Sequence, residues 1–228
     1  KGARIAKRNH DWYSTPITPA IKDSYAVQYA ADFGHVRILK EVLAKKEGNP
    51  KLYEKINPAG GDNYALRTAS MNGHVEVVKF LLAKKEERPD LYGGIYSASD
   101  DNYAIRTAAW GGYVEVVEYL LAKKEGNPEL YREINPASHD NHAIRLASKH
   151  GHINVVELLL AKKEANPGLY GSIDPADDDN YAIGMASHGG HVKVVKFLLG
   201  KKEGNPELYN GIDPAADDNY ALRKASEF

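Results

Sequence analysis

The residues of this 228-residue chain best suited to chemistry are its nine histidines, six of which fall between His139 and His191. Two clusters, His150-Gly151-His152 and His188-Gly189-Gly190-His191, raise the question of a metal site. Zinc needs several ligands about 2 Å from one centre. His35, His74, His152 and His191, however, recur at one fixed place behind a glycine, which marks them as framework. His10 apart, only His139, His142, His150 and His188 are extra. Units carrying them would stack about 10 Å apart, too far to converge on one ion. The reading is no metal and no cofactor.

Charge leads to a similarly plain answer. Thirty basic and 31 acidic residues nearly cancel, so bulk charge argues neither for a nucleic-acid nor for an anionic-membrane partner. Lys-Lys recurs at Lys45-Lys46, Lys84-Lys85, Lys123-Lys124, Lys162-Lys163 and Lys201-Lys202. Stacked, these pairs would form a basic edge able to follow phosphates. The stronger reading places cations at helix C-termini, where the macrodipole favours them, with a Glu beside each pair. The acidic runs Asp177-Asp178-Asp179 and Asp217-Asp218 lack the alternating ligands and Gly bend of a calcium loop. They are read as helix caps and turns.

Catalytic signatures are missing. The sequence has no Gly-Lys-(Ser/Thr) phosphate loop, no Gly-x-Ser-x-Gly elbow and no His-Glu-x-x-His. It has no cysteine, hence no thiol nucleophile and no disulfide framework, which suits a cytoplasmic setting. No apolar run approaches a membrane span. The missing initial Met and the stop inside a repeat make a fragment or processed piece the expectation.

What must position all these residues is a unit of 39 residues. The landmark Asp-(Asn/Ser)-(Tyr/His)-Ala falls at Asp23, Asp62, Asp101, Asp140, Asp179 and Asp218, in equal steps of 39. Such a unit cannot bury its apolar face alone, so the copies must stack. We expect five full repeats over 23–217, a degenerate half-repeat or cap at 1–22, and a truncated sixth repeat, first helix only, at 218–228.

Within the second copy, Tyr64 to Ser70 reads as a short helix with small Ala65 and Ala69 at a close helix approach, capped by Asp62 or Asn63. Gly73 ends it. A second helix follows, with Val75, Val78, Leu81 and Leu82 on one face at spacings of three and four. The Val run could pass for a strand, but the spacing and the trailing Leu-Leu-Ala-Lys-Lys decide for helix. In the connector, Asn205-Pro206 reads as an N-cap and first helical position, with one tight turn from Pro206 to Tyr209. Leu208, Tyr209 and Ile212 recur in every full copy, so the connector packs down onto the helices.

This pattern resembles the ankyrin repeat. The residues that carry the resemblance run from Ala69 to Leu82, through Asn72-Gly73-His74 and Val77-Val78-Lys79-Phe80-Leu81-Leu82, with equivalents in four other copies. The resemblance covers roughly 20–228 and implies an all-α ankyrin-type solenoid of stacked helix-turn-helix repeats with long connectors. It departs from the family in two places. The helix opening is Tyr64-Ala65-Leu66-Arg67 rather than Thr-Pro-Leu-His, a form similar to that in ankyrin sets of amoeba-infecting giant viruses and intracellular bacteria. For such an effector the implied location is the host-cell cytosol. The unit also exceeds the usual ~33 residues, the extra length sitting in the Asn-Pro-x-Leu-Tyr connector.

The resemblance further implies that the chain is not an enzyme but binds another protein, through a concave helix face and projecting tips. Comparing the copies locates the surface left free by packing. The most varied pair of places lies just before the glycine: Asp32-Phe33, Met71-Asn72, Trp110-Gly111, Lys149-His150 and His188-Gly189. Phe33, Met71, Asn72, Trp110, Lys149, His150 and His188 are therefore the candidate partner-binding residues, a partly apolar strip rimmed by charge. The alternative is that they pack onto neighbours. A second varied column, Tyr29, Thr68, Thr107, Leu146, Met185 and Lys224, is open between packing and ligand contact. The Arg67, Arg106, Arg145 and Arg223 column, broken at Gln28 and Gly184, is read as ion pairs with nearby Asp. Two rival functions stay open: a structural spacer that associates end to end, and a targeting arm of a larger effector.

Overall fold

The computed structural model describes residues 19–225, within which every regular element is a helix. The expected cap at 1–22 falls almost wholly outside them, as do the last three residues. Leading helices α1 (Pro19–Asp32), α3 (Gly60–Met71), α6 (Ser99–Trp110), α9 (Ser138–Lys149), α12 (Asp177–His188) and α15 (Ala216–Ala225) pack in one row. Trailing helices α2 (Val36–Gly48), α4 (Val75–Glu87), α7 (Val114–Gly126), α10 (Ile153–Ala165) and α13 (Val192–Gly204) form a second row behind them. The leading helices pack more closely against one another than the trailing ones do. Ala65 and Ala69, and the equivalent alanines downstream, are fully buried between neighbours, which is what permits that approach.

In the trailing helices the apolar face is wider than the spacing predicts. Val77 is as buried as Val78, Leu81 and Leu82, while Val75 is half-buried. A trailing helix touches its own leading helix and both adjacent trailing helices, so one stripe does not suffice. The connectors fold as expected: α5 (Pro89–Tyr92), α8 (Pro128–Tyr131), α11 (Pro167–Tyr170) and α14 (Pro206–Tyr209) are single turns. Asn205 Oδ1 caps α14 by accepting the Leu208 N–H at 3.3 Å. Tyr92, Tyr131, Tyr170 and Tyr209 are buried to within 2% of their surface.

One local reading is corrected. Asp62 and Asn63 do not cap the helix that follows. With Gly61 they form three successive residues at positive φ (62°, 55° and 58°), and the same left-handed run recurs at Asp100–Asn102, His139–Asn141 and Asp178–Asn180. Asp and Asn tolerate this region better than other non-glycine residues because their short polar side chains find local partners. Asn63 Oδ1 accepts the backbone N–H of Tyr96 in the next unit at 2.7 Å. Asn102, Asn141 and Asn180 make the same bond at 2.7, 2.8 and 2.7 Å. The landmark motif is thus a clip between units.

The paired lysines lie in the last turn of each trailing helix, as read, and find further partners there. Lys84, Lys123, Lys162 and Lys201 reach back to Glu47, Glu86, Glu125 and Glu164 of the preceding unit at 2.7–3.2 Å. The second lysine turns inward. Lys124 Nζ donates to the carbonyls of Ile134 (2.6 Å) and Arg132 (3.0 Å), and Lys163 Nζ to that of Ile173 at 2.6 Å. Burial lowers the pKa of Lys46, Lys85 and Lys124. Lys84, Lys123, Lys162 and Lys201 therefore link units, and Lys46, Lys124, Lys163 and Lys202 hold down their connectors, so these residues do not line an open basic edge.

Candidate functional site

The leading helices α1, α3, α6, α9 and α12 each end at a glycine with positive φ. Gly73, Gly112 and Gly151 have φ of 72–73°, and a Cβ there would lie within 2.5 Å of the Tyr113, His152 or His191 ring of the next unit. Those rings sit where they do for a reason. His74, His152 and His191 Nε2 lie 2.9 Å from the carbonyls of Asp32, Trp110 and Lys149. A carbonyl only accepts, so Nε2 carries the hydrogen in each. The scaffold histidines thereby hold the backbone of the residues that vary.

The varied residues follow from this frame. Phe33 is 54% exposed and lies against Tyr29, ring centroids 4.5 Å apart. Trp110 is 46% exposed and meets His150 of the next unit edge-on at 5.8 Å. His150 in turn stacks on His152 at 6.1 Å. His188 is exposed, its ring 6.3 Å from Tyr220. Lys149 is half-buried. Met71 is half-buried, its sulfur accepting the Tyr103 hydroxyl at 3.5 Å. Asn72 is also half-buried, its Nδ2 donating at 3.0 Å to both the carbonyl and the carboxylate of Asp32.

The structure thus brings Trp110 and His150 into contact across a unit boundary. Phe33 joins Tyr29, a pairing the column comparison missed although the two lie four apart on one helix, the spacing that makes side chains neighbours. In the second column, Thr68 and Thr107 hydroxyls donate to their own helix at Tyr64 O (2.9 Å) and Tyr103 O (2.8 Å), which makes them framework. Leu146 and Met185 are half-buried, and the side chain of Lys224 lies outside the described residues.

Burial and the neighbouring His152, Lys149 and His191 lower the pKa of His150. Burial and then Arg106 and Arg145 do the same to His142, whose Nδ1 lies 3.1 Å from Arg106. His139 pairs with Asp101. His139 and His142 stack with ring centroids 6.0 Å apart, while His150 and His188 lie against other rings, and among the described residues no group of three or more His, Asp or Glu is placed to hold a metal ion. In the arginine column Arg67 pairs with Asp100 at 3.1 Å and Asp62 at 3.3 Å, and Arg145 with Asp178, whereas Arg106 donates to the backbone carbonyls of Asp101 and Asp100 at 2.8 and 3.0 Å.

Two rows of paired helices, a turn closed by Gly-His and a long return loop are the geometry of an ankyrin array. The ankyrin-repeat family model, in three copies, matches residues 27–132 and 108–218, and the chain belongs to that family. No curated protein matches the chain. Ankyrin repeats generally serve as protein–protein interaction modules and are typically non-catalytic. Among the described residues no helix is long and apolar enough to cross a membrane.

Proposed function

We propose that this array recognises another protein along the strip of Phe33, Met71, Asn72, Trp110, Lys149, His150 and His188, with no catalytic step. The observation that carries the reading is Trp110, an exposed indole on a helix end whose preceding Ala108 and Ala109 are fully buried. Its backbone is fixed by His152 and its ring is braced by His150. A large aromatic held rigid in water gives contact area at little ordering cost, the property of interface hot spots. Phe33 with Tyr29 supplies a second anchor near the other end of the same row. The cysteine-free sequence fits work in the cytoplasm.

The test is capture of a partner from lysate, followed by its affinity for the parent chain and for Trp110→Ala and Phe33→Ala. Loss of about tenfold or more at Trp110, with thermal melting held, supports the strip. Equal affinities would remove it. A mass that rises with concentration in light scattering, with no partner captured, would favour the self-associating spacer instead.

A further inference from the structure

A cavity of about 300 Å³ opens between α12 and α15, walled by Asp178, Asp179, Tyr181, Gly184, Asp217 and Tyr220. The same place is filled in two earlier units by the chain's own arginine. Arg67 lies with its guanidinium carbon 4.5 Å from the Tyr103 ring centre, bonds the Asp62 carbonyl at 3.4 Å and pairs with Asp100 at 3.1 Å. Arg145 repeats this on Tyr181 (4.5 Å), the Asp140 carbonyl (3.0 Å) and Asp178. One step on, the arginine position is Gly184, while Tyr220, Asp179 and Asp217 keep the three recognising places.

The loss is not shared by both partners. Where the first unit lacks the arginine, at Gln28, the acid is absent too, because Gly61 stands in its place. In the third unit Arg106 faces His139 in that register, and His139 turns to Asp101 instead. Asp217 alone, among the described residues of this column, keeps its carboxylate opposite a position without a cation. A Cβ on Gly184 would lie 3.2 Å from the Tyr220 ring, so that ring borders the vacated space.

We infer that this cavity binds an arginine side chain presented by a protein partner, with the guanidinium over Tyr220 and paired to Asp217. A planar cation with several donors matches a ring face, a carboxylate and a carbonyl together, which a lysine ammonium does not. The inference deepens the recognition reading by naming one chemical feature of the partner. It stands at a different place from the Trp110 strip, and its probe needs no partner, so either can fail alone.

The experiment is a titration of the isotope-labelled chain with arginine blocked at both ends, with the lysine counterpart and with free arginine, following the Gly184 and Ala221 amide signals. Saturable shifts are expected with blocked arginine, with a Kd on the order of millimolar. Asp217→Asn is expected to weaken binding about tenfold or more. Gly184→Arg, which refills the space from within, should abolish it. No saturable shift at Gly184, equal or tighter binding of the lysine probe, or an unaltered Kd in Asp217→Asn would overturn the site. Tighter binding of free than of blocked arginine would overturn the protein-borne occupant. Should Gly184→Arg disturb the fold by circular dichroism, the exposed Asp217→Asn decides alone.

Discussion

The backbone carbonyl of Trp110 accepts the Nε2 hydrogen of His152, 42 residues further along the chain, at 2.9 Å. A framework residue of one unit thus fixes the exposed recognition residue of the unit before it. Removing the imidazole by His152→Ala leaves the carbonyl without its donor and opens space beside Gly112. The expected cost is about 1–3 kcal/mol of unfolding free energy by denaturant titration. His152→Tyr should cost less, because Tyr113 already fills the equivalent place against Gly73. An alanine variant as stable as the parent would show that the bond does not organise the helix end.

The two lysines of one pair should differ sharply. Lys124 is 8% exposed and donates to two connector carbonyls, whereas Lys123 makes a surface pair with Glu86 at 2.8 Å. Lys124→Met keeps the apolar stem but removes charged donors from buried carbonyls, for an expected loss of about 1.5–3 kcal/mol. Lys123→Met should cost about 1 kcal/mol or less, as surface ion pairs usually do. Equal losses in the two variants, measured by denaturant unfolding, would contradict the inward role of Lys124.

That division of labour shows where the sequence was legible. The 39-residue step, the helix pair and the turn begun by Asn205-Pro206 depend on local spacing and could be read directly. The target of Lys124 is a carbonyl ten residues on, reached only after the connector folds back, so a helix-dipole role was the natural reading. Asp62-Asn63 carries a common capping composition, and its left-handed backbone is decided by a hydrogen bond to Tyr96 in the next unit. For the recognition strip, variation between copies identified exposed Trp110 and Phe33. It could not reveal that Asn72 spends its amide on Asp32, since neighbours across the stack come from residues 40 apart.

Stability should decline in mild acid through His142. Its folded pKa lies below the ordinary 6.5 because burial and the facing Arg106 and Arg145 oppose a positive ring. The unfolded chain therefore takes up the proton first as pH falls. The stability of the neutral form is complete above the unfolded value and is lost as pH drops toward and through the folded one. Melting temperature should fall between about pH 7 and about pH 5, and His142→Tyr should flatten part of that slope. Tyrosine already occupies the equivalent place at Tyr64, Tyr103, Tyr181 and Tyr220. An unchanged slope in that variant would move the effect elsewhere, with His150, lowered in the same direction, the next residue to replace.

Gly34, Gly73, Gly112 and Gly151, which end leading helices, each meet two demands, and these can be separated. Gly112 has φ of 72°, and its missing Cβ leaves the space where His152 Nδ1 would otherwise stand 2.5 Å away. Gly112→Ala therefore carries a backbone cost of about 1–2 kcal/mol and, in addition, forces the His152 ring to move. The total should exceed about 2 kcal/mol. In a His152→Ala background the ring is gone, and the same substitution should cost only the backbone part. The two changes are thus expected to be less than additive by about 1 kcal/mol, as contacting residues are in a double-mutant cycle. Strict additivity would mean that the ring never pressed on the turn, and that left-handed geometry alone selects glycine there.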